Sequence, residues 1–211
     1  MGTAARGVFG GRITIYGESA QPSDPADGIN AIRGVGPLLE ALERYDEHRS
    51  PPDHDLLGAA TFTPTHIEGG GALNQVPAEC TVGFDRWPIP PETIDEFLED
   101  LESYLEEQLP GEYDFEVCPA FPEILDPEAF ATDSDAKIVQ TLAAASGGEI
   151  RPFGASSEVS YFADASTVVF GPGVLADEAG PVAHADREDM RRSDVADAAK
   201  AIRSTIETVL S

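Results

Sequence analysis

Hydrophobic and polar positions alternate with two different periods along this chain, and the switches between them mark its elements. Arg12-Ile13-Thr14-Ile15-Tyr16 alternates at period two and predicts a strand. Ile29, Ile32, Val35, Leu38, Leu39 and Leu42 recur at helical spacing, up to about Tyr45. A charged, proline-bearing loop is expected from Glu47 to Asp55. Thr61, Thr65 and Ile67 lean towards β before a glycine run, and Cys80-Thr81-Val82-Gly83-Phe84 does so after it, which predicts a hairpin. Ile94, Phe97, Leu98, Leu101 and Leu105 form one apolar stripe of a helix opened by Pro90-Pro91-Glu92. Tyr113-Asp114-Phe115-Glu116-Val117 alternates again. Residues 11–118 therefore predict strand, helix, strand, strand, helix, strand, the βαββαβ order of a ferredoxin-like α+β sandwich.

Beyond Pro119 the pattern changes to α/β alternation, which predicts part of a parallel-rich sheet. A helix is expected over Asp135 to Ala145, capped by Asp133 or Ser134 and stopped by Gly147-Gly148. Short strands are expected at Ile150 to Phe153 and at Thr167-Val168-Val169-Phe170, with a helical turn at Val159 to Ala163 between them. Ser193 could cap a last helix with Val195, Ala199, Ile202, Ile206 and Val209 on one face. These strands are too few for a self-contained layered domain. The division expected is 1–10 as a short piece of a catalytic domain, 11–118 as the sandwich, and 119–211 as a later segment of that catalytic domain.

Charge narrows the partners. The net charge is −26 with 13 Lys and Arg against 39 Asp and Glu, and only Lys137 and Lys200 are lysines. Such a surface repels nucleic acid and anionic membrane, and repels itself in dilute buffer. A chain from a salt-loving organism is the expectation. Cys80 and Cys118 are too few for a disulfide framework and fit a reducing compartment, with one bridge as the alternative. No apolar run reaches membrane-spanning length and no signal-peptide pattern opens the chain, so a soluble, cytoplasmic protein is expected.

Candidate chemistry gathers at Gly69-Gly70-Gly71-Ala72-Leu73-Asn74-Gln75-Val76-Pro77 and at Arg86. The glycines allow a turn with positive φ. A neutral amide at Asn74 and a planar guanidinium at Arg86 suit a carboxylate, which Arg grips bidentately. Read alone, the stretch is a hairpin with a surface arginine. The run resembles the "GG-x-x-x-N-x-x-P" plus distal Arg of the di-zinc amidohydrolases that include acetylornithine deacetylase, succinyl-diaminopimelate desuccinylase and carboxypeptidase G. There the motif lies in the lid or dimerisation domain. Val168-Val169-Phe170-Gly171-Pro172-Gly173, followed by Ala183-His184 and Glu188, resembles the last zinc-ligand segment of the same family. Gly154-Ala155-Ser156-Ser157-Glu158 resembles its "G-G-T-D-A" turn.

The resemblance implies zinc as cofactor, with His184 binding one metal through a neutral imidazole. It implies hydrolysis of an amide beside a carboxylate in a small N-acyl amino acid or peptide, with Asn74, Arg86 and Ser157 holding substrate. It also implies a homodimer formed through the lid. His48, His54 and His66 are read as structural or surface residues. Two departures stand out. Gly17-Glu18-Ser19-Ala20-Gln21-Pro22-Ser23 resembles a family segment that has a catalytic His where this chain has Gln21, and glutamine cannot be cationic. The family's His-x-Asp ligand pair, bridging Asp and Glu-Glu pair have no counterpart in these residues, and a single imidazole does not hold a catalytic zinc. Inactivity of the chain alone is therefore expected. The alternatives are a subunit completed by a separate N-terminal catalytic half and a non-catalytic dimerisation or binding module.

Overall fold

In a computed structural model, residues 1–123, 126–155, 157–162, 165–173, 176–178, 180–182, 185–187 and 189–211 are described. Gly2–Ala5 is a strand, β1, for which no periodicity gave an expectation, because its residues are too small to leave a hydrophobic signature. Strand β2 (Phe9–Tyr16), helix α1 (Ala31–Arg49), strands β3 (Thr61–Gly69) and β4 (Glu79–Trp87), helix α2 (Ile94–Gln108) and strand β5 (Asp114–Pro119) follow in the expected order. Next come β6 (Phe130–Ala131), α3 (Lys137–Ser146), β7 (Arg151–Pro152), β8 (Ala176–Asp177), β9 (Gly180–Pro181) and α4 (Arg192–Val209). The chain divides into two compact units, Arg6–Phe130 and Met1–Ala5 with Ala131–Ser211.

The first unit is the sandwich. Its four strands lie in the order β3-β4-β2-β5, all antiparallel, which is the ferredoxin-like arrangement. Alternation sends Phe9, Ile13 and Ile15 of β2 and Cys80, Val82 and Phe84 of β4 into one core. Val35, Leu38, Ala41, Leu42 and Tyr45 of α1 meet them there, with Phe97, Leu101, Tyr104 and Leu105 of α2. The rings of Phe62, Phe84 and Phe97 pack edge to face, 5.0–6.1 Å apart. Asn30 starts α1 by accepting the Ile32 amide at 3.0 Å, and Thr93 and Glu96 form a reciprocal capping box at α2. Helix α1 passes through Pro37 and continues to Arg49, so His48 is helical and the expected loop starts only at Ser50.

In the second unit β1 pairs in parallel with β7, within a three-stranded sheet ordered β6-β1-β7. Val139 and Leu142 of α3 and Ala201 of α4 form its core with Met1. Three local expectations are corrected. Helix α3 starts at Lys137 behind Ala136 without a side-chain cap, because the Asp133 carboxylate accepts the Asp135 amide instead. Ser193 does not cap α4, since that helix already includes it and its hydroxyl donates to Asp194. In place of a strand at 167–170 there is one isolated bridge, Gly2 to Val169. Among the described residues no helix is long and apolar enough to cross a membrane.

Candidate functional site

The glycine run ends β3 and opens a loop to β4 in which Gly70 takes φ +79°, a left-handed turn that favours glycine. This loop is fastened to the segment after β2. The Gly17 amide donates to Ala78 O at 2.8 Å, and the Val76 amide to Ala20 O at 2.8 Å. The Ala31 amide donates to Pro77 O at 3.0 Å, and Gln75 Nε2 to Ser19 Oγ at 3.2 Å. Two segments distant in the chain thus bring Gln21 and Asn74 to one end of the sheet, each next to a residue of that ladder. Both side chains are exposed. Beside them lies an open cleft of about 470 Å³, lined by Ser19, Glu68, Gly70, Gln75 and Cys80 among others. Burial pushes the Cys80 thiol above its ordinary pKa, so it stays protonated and apolar in character.

Arg86 is in a different environment. It follows Cys80, Val82 and Phe84 at the same parity of β4, so it points into the core, where it is 1% exposed. The carboxylate it grips is the protein's own Glu92, through Nε at 3.0 Å and Nη2 at 2.6 and 2.9 Å. Nη1 donates to Asp46 at 3.4 Å and to Ser50 Oγ at 3.3 Å, and the guanidinium lies 4.8 Å from the centre of the Phe97 ring. In this structure the guanidinium expected to fix a substrate carboxylate holds an internal one, Glu92. Glu92, absent from the candidate residues, was findable as the acid just before α2 on the inward side of an inward arginine.

Ser157 lies in the second unit and works as a local cap. Its Oγ accepts the Val159 amide at 3.2 Å at the start of the 3₁₀ helix Glu158–Phe162. His184 falls outside the described residues. A cavity of about 750 Å³ in this unit is lined by Gly2, Arg151, Phe153, Val169, Phe170 and Met190 among others. Among the described residues no three His, Cys, Asp or Glu side chains converge as a metal site, so these residues do not by themselves fit the implied zinc. Cys80 and Cys118 are both free thiols.

The first unit is thus a four-stranded antiparallel sheet with both helices packed into one core and with β3 and β5 as its outer strands. Residues 3–112 match the family described as the peptidase dimerisation domain, and the chain belongs to that family. Among curated relatives, acetylornithine deacetylase of Aliivibrio salmonicida is 26% identical over 178 residues, covering 81% of this chain and 46% of the relative. Acetylornithine deacetylase of Photorhabdus laumondii is 34% identical over 110 residues, covering 50% of this chain and 27% of the relative. The chain thus spans half or less of the length of these relatives. A solved structure from methicillin resistant Staphylococcus aureus shares the fold over 100% of this chain and 54% of its own length, with TM-score 0.73 and 17% identity. Aminopeptidase PepT from Bacillus cereus does so over 100% and 54%, with TM-score 0.64 and 16% identity.

Proposed function

We propose that this chain supplies the dimerisation platform and a later catalytic segment of a metal-dependent amidohydrolase. The reaction is cleavage of an amide next to a carboxylate, of the N-acyl amino acid deacylase type. A further stretch of polypeptide carrying the remaining zinc ligands completes the centre. The observation that carries this reading is the extent of the deacetylase similarity. It runs over 178 residues, well past the dimerisation domain at 3–112, and still meets only 46% of the relative. The exposed side chains of Val195, Ile202 and Ile206 on α4 add to it, being an apolar stripe of the kind that another part of a catalytic domain covers. Zinc, when bound, would polarise the amide carbonyl and activate water.

Within this reading Asn74 donates its amide N–H groups to the substrate carboxylate or to the oxyanion of the tetrahedral intermediate. Gln21 donates one neutral hydrogen bond where a cation would bind more strongly. Ser157 lines the carboxylate pocket, and His184 is the metal ligand this chain contributes. Arg86 shapes the platform from within. The free edge of β3 pairs with a second copy, in a reducing compartment compatible with two free thiols. Metal analysis and turnover of N-acylated amino acids by the 211-residue chain alone test the reading. It is expected to hold well under one zinc and to release no product. A stoichiometric zinc pair, or turnover with zinc present, would overturn the need for a further stretch. Gln21 favours a second reading, a non-catalytic binding module, for which N-acyl amino acids would bind without metal and Asn74→Ala would abolish that binding.

A further inference from the structure

Helix α1 contains two glycines, Gly34 and Gly36, and the packing of the sandwich requires only the first. A Cβ on Gly34 would lie 2.8 Å from Ile15 Cγ2 and 3.0 Å from Tyr113 Cδ1, so that position must stay bare for α1 to seat on the sheet. Around a Cβ on Gly36, outside its own helix turn, no described heavy atom lies within 4 Å. Glycine weakens a helix interior, because it gives up the most backbone freedom on folding. Pro37 supplies a local reason for it, since a Cβ just before proline crowds the helical backbone. That reason does not account for what flanks Gly36. One turn before it stands Ile32 at 47% exposure and one turn after it Leu39 at 36%, on the same side of the helix.

This side of α1 overlooks the outer strand β3. Ile32 Cδ1 would lie 3.5 Å from a Cβ on Gly70, just beyond the end of β3. Ile67 of β3 pairs with Val82, whose side chain is in the core, so Ile67 projects on the same face of the sheet as α1. Ile32, Leu39 and Ile67 thus form an exposed apolar margin, with bare backbone at Gly36 between the first two. Charge favours this margin. Helix α1 carries Arg33, Arg44 and Arg49 against Glu40, Glu43, Asp46 and Glu47, whereas α2 carries seven acids and no lysine or arginine. In a chain of net charge −26, α1 is a helix that a second copy approaches with little repulsion.

We propose that Gly36 is the crossing point of α1 with the α1 of a second copy. The two helices pack antiparallel about a two-fold axis, each laying Ile32 and Leu39 on the other beside the bare backbone of Gly36. This rests on the proposed pairing at β3 and adds to it a second contact, on the helix face of the sheet. A two-fold axis makes both contacts self-complementary, so a residue placed at the axis meets its own copy. Without Cβ atoms there the helix axes come closer and the flanking side chains interdigitate.

Sedimentation of the full chain in molar KCl, over a range of protein concentrations, reads this contact as a dimer dissociation constant. Gly36→Leu is expected to raise that constant about tenfold or more above Gly36→Ala, which shares the crowding before Pro37 but adds little bulk. As dilute monomers the two variants should melt alike, and a lower melting temperature for Gly36→Leu would show that the sandwich itself fills this space, against the proposal. Leu39→Arg leaves the backbone untouched and reduces the net negative charge, yet it too should weaken the dimer about tenfold. Should both glycine variants fail to fold, Leu39→Arg decides. An unchanged dissociation constant in either folded variant, with Ile67→Asp still separating the copies, would overturn the α1 contact and leave the pairing at β3 standing. A chain that stays monomeric at every KCl concentration would overturn the pairing at β3 and this contact with it.

Discussion

Replacing Arg86 by alanine would leave Glu92, whose side chain is 12% exposed, without its cation inside the sandwich. Breaking a buried pair from one side costs about 3–5 kcal/mol, because the remaining charge keeps its desolvation penalty and loses its partner. Arg86→Ala should therefore lower the urea midpoint sharply, whereas Arg86→Met combined with Glu92→Leu should recover most of the loss. Asn74→Ala, at an exposed loop position, should move stability by less than about 0.5 kcal/mol. An Arg86→Ala protein as stable as the unchanged chain would mean that the clamp is ornamental. The inward position of Arg86 was legible in the alternation of Cys80, Val82 and Phe84, two residues apart on one face. The fastening of Gln75 to Ser19 was not legible, since it depends on two loops meeting across 56 residues.

At the scale of elements, the sheet and helices of the sandwich were readable because each carries a sustained period. Even so, the contact that sets β2 against β4 is specific. Gly11 pairs with Phe84 in register, and a Cβ on Gly11 would collide with the Phe84 ring. The ring lies over the glycine and fills the place of its missing side chain, a cross-strand device that also pins register. Gly11→Ala must push the ring into a core already shared with Phe62 and Phe97, which should cost about 1–3 kcal/mol. Adding Phe84→Leu should restore part of that loss, since the smaller side chain gives way. Thermal unfolding of the single and double variants checks this, and additive losses would show that the two residues do not compete for space. Outside the sandwich the strands are two to four residues long, as in β1, β6 and β7, and a period cannot be read from so few positions. On α4 the stripe of Val195, Ile202 and Ile206 was legible but its burial was not: Ala198, Ala201 and Thr205 are the inward residues. Periodicity identifies an apolar face, and only a partner decides whether it is covered.

For the molecule as a whole, charge decides the conditions under which these contacts hold. Net charge −26 is carried by 39 acids against 13 lysines and arginines, and helix α2 alone holds Asp95, Glu96, Glu99, Asp100, Glu102, Glu106 and Glu107. Of these seven, Asp100 has an ion-pair partner, Arg49 at 2.8 Å. Surface pairs of this kind add little, so self-repulsion in dilute buffer outweighs them. Salt shortens the screening length from about 30 Å at 0.01 M to about 3 Å at 1 M, below the spacing of most surface charges. The melting temperature should therefore rise from dilute buffer to molar KCl, and Glu99→Gln, Glu102→Gln and Glu106→Gln together should flatten that rise. In the proposed pairing of two copies at β3, where Ile67 offers apolar surface at 57% exposure, the same repulsion would act between the copies as well as within each. Sedimentation should show the dimer fraction growing with KCl at fixed protein concentration, and Ile67→Asp should hold the chain monomeric at every salt concentration. A dimer that weakens as KCl is added would mean that opposite charges, rather than an apolar edge freed from repulsion, bring the copies together.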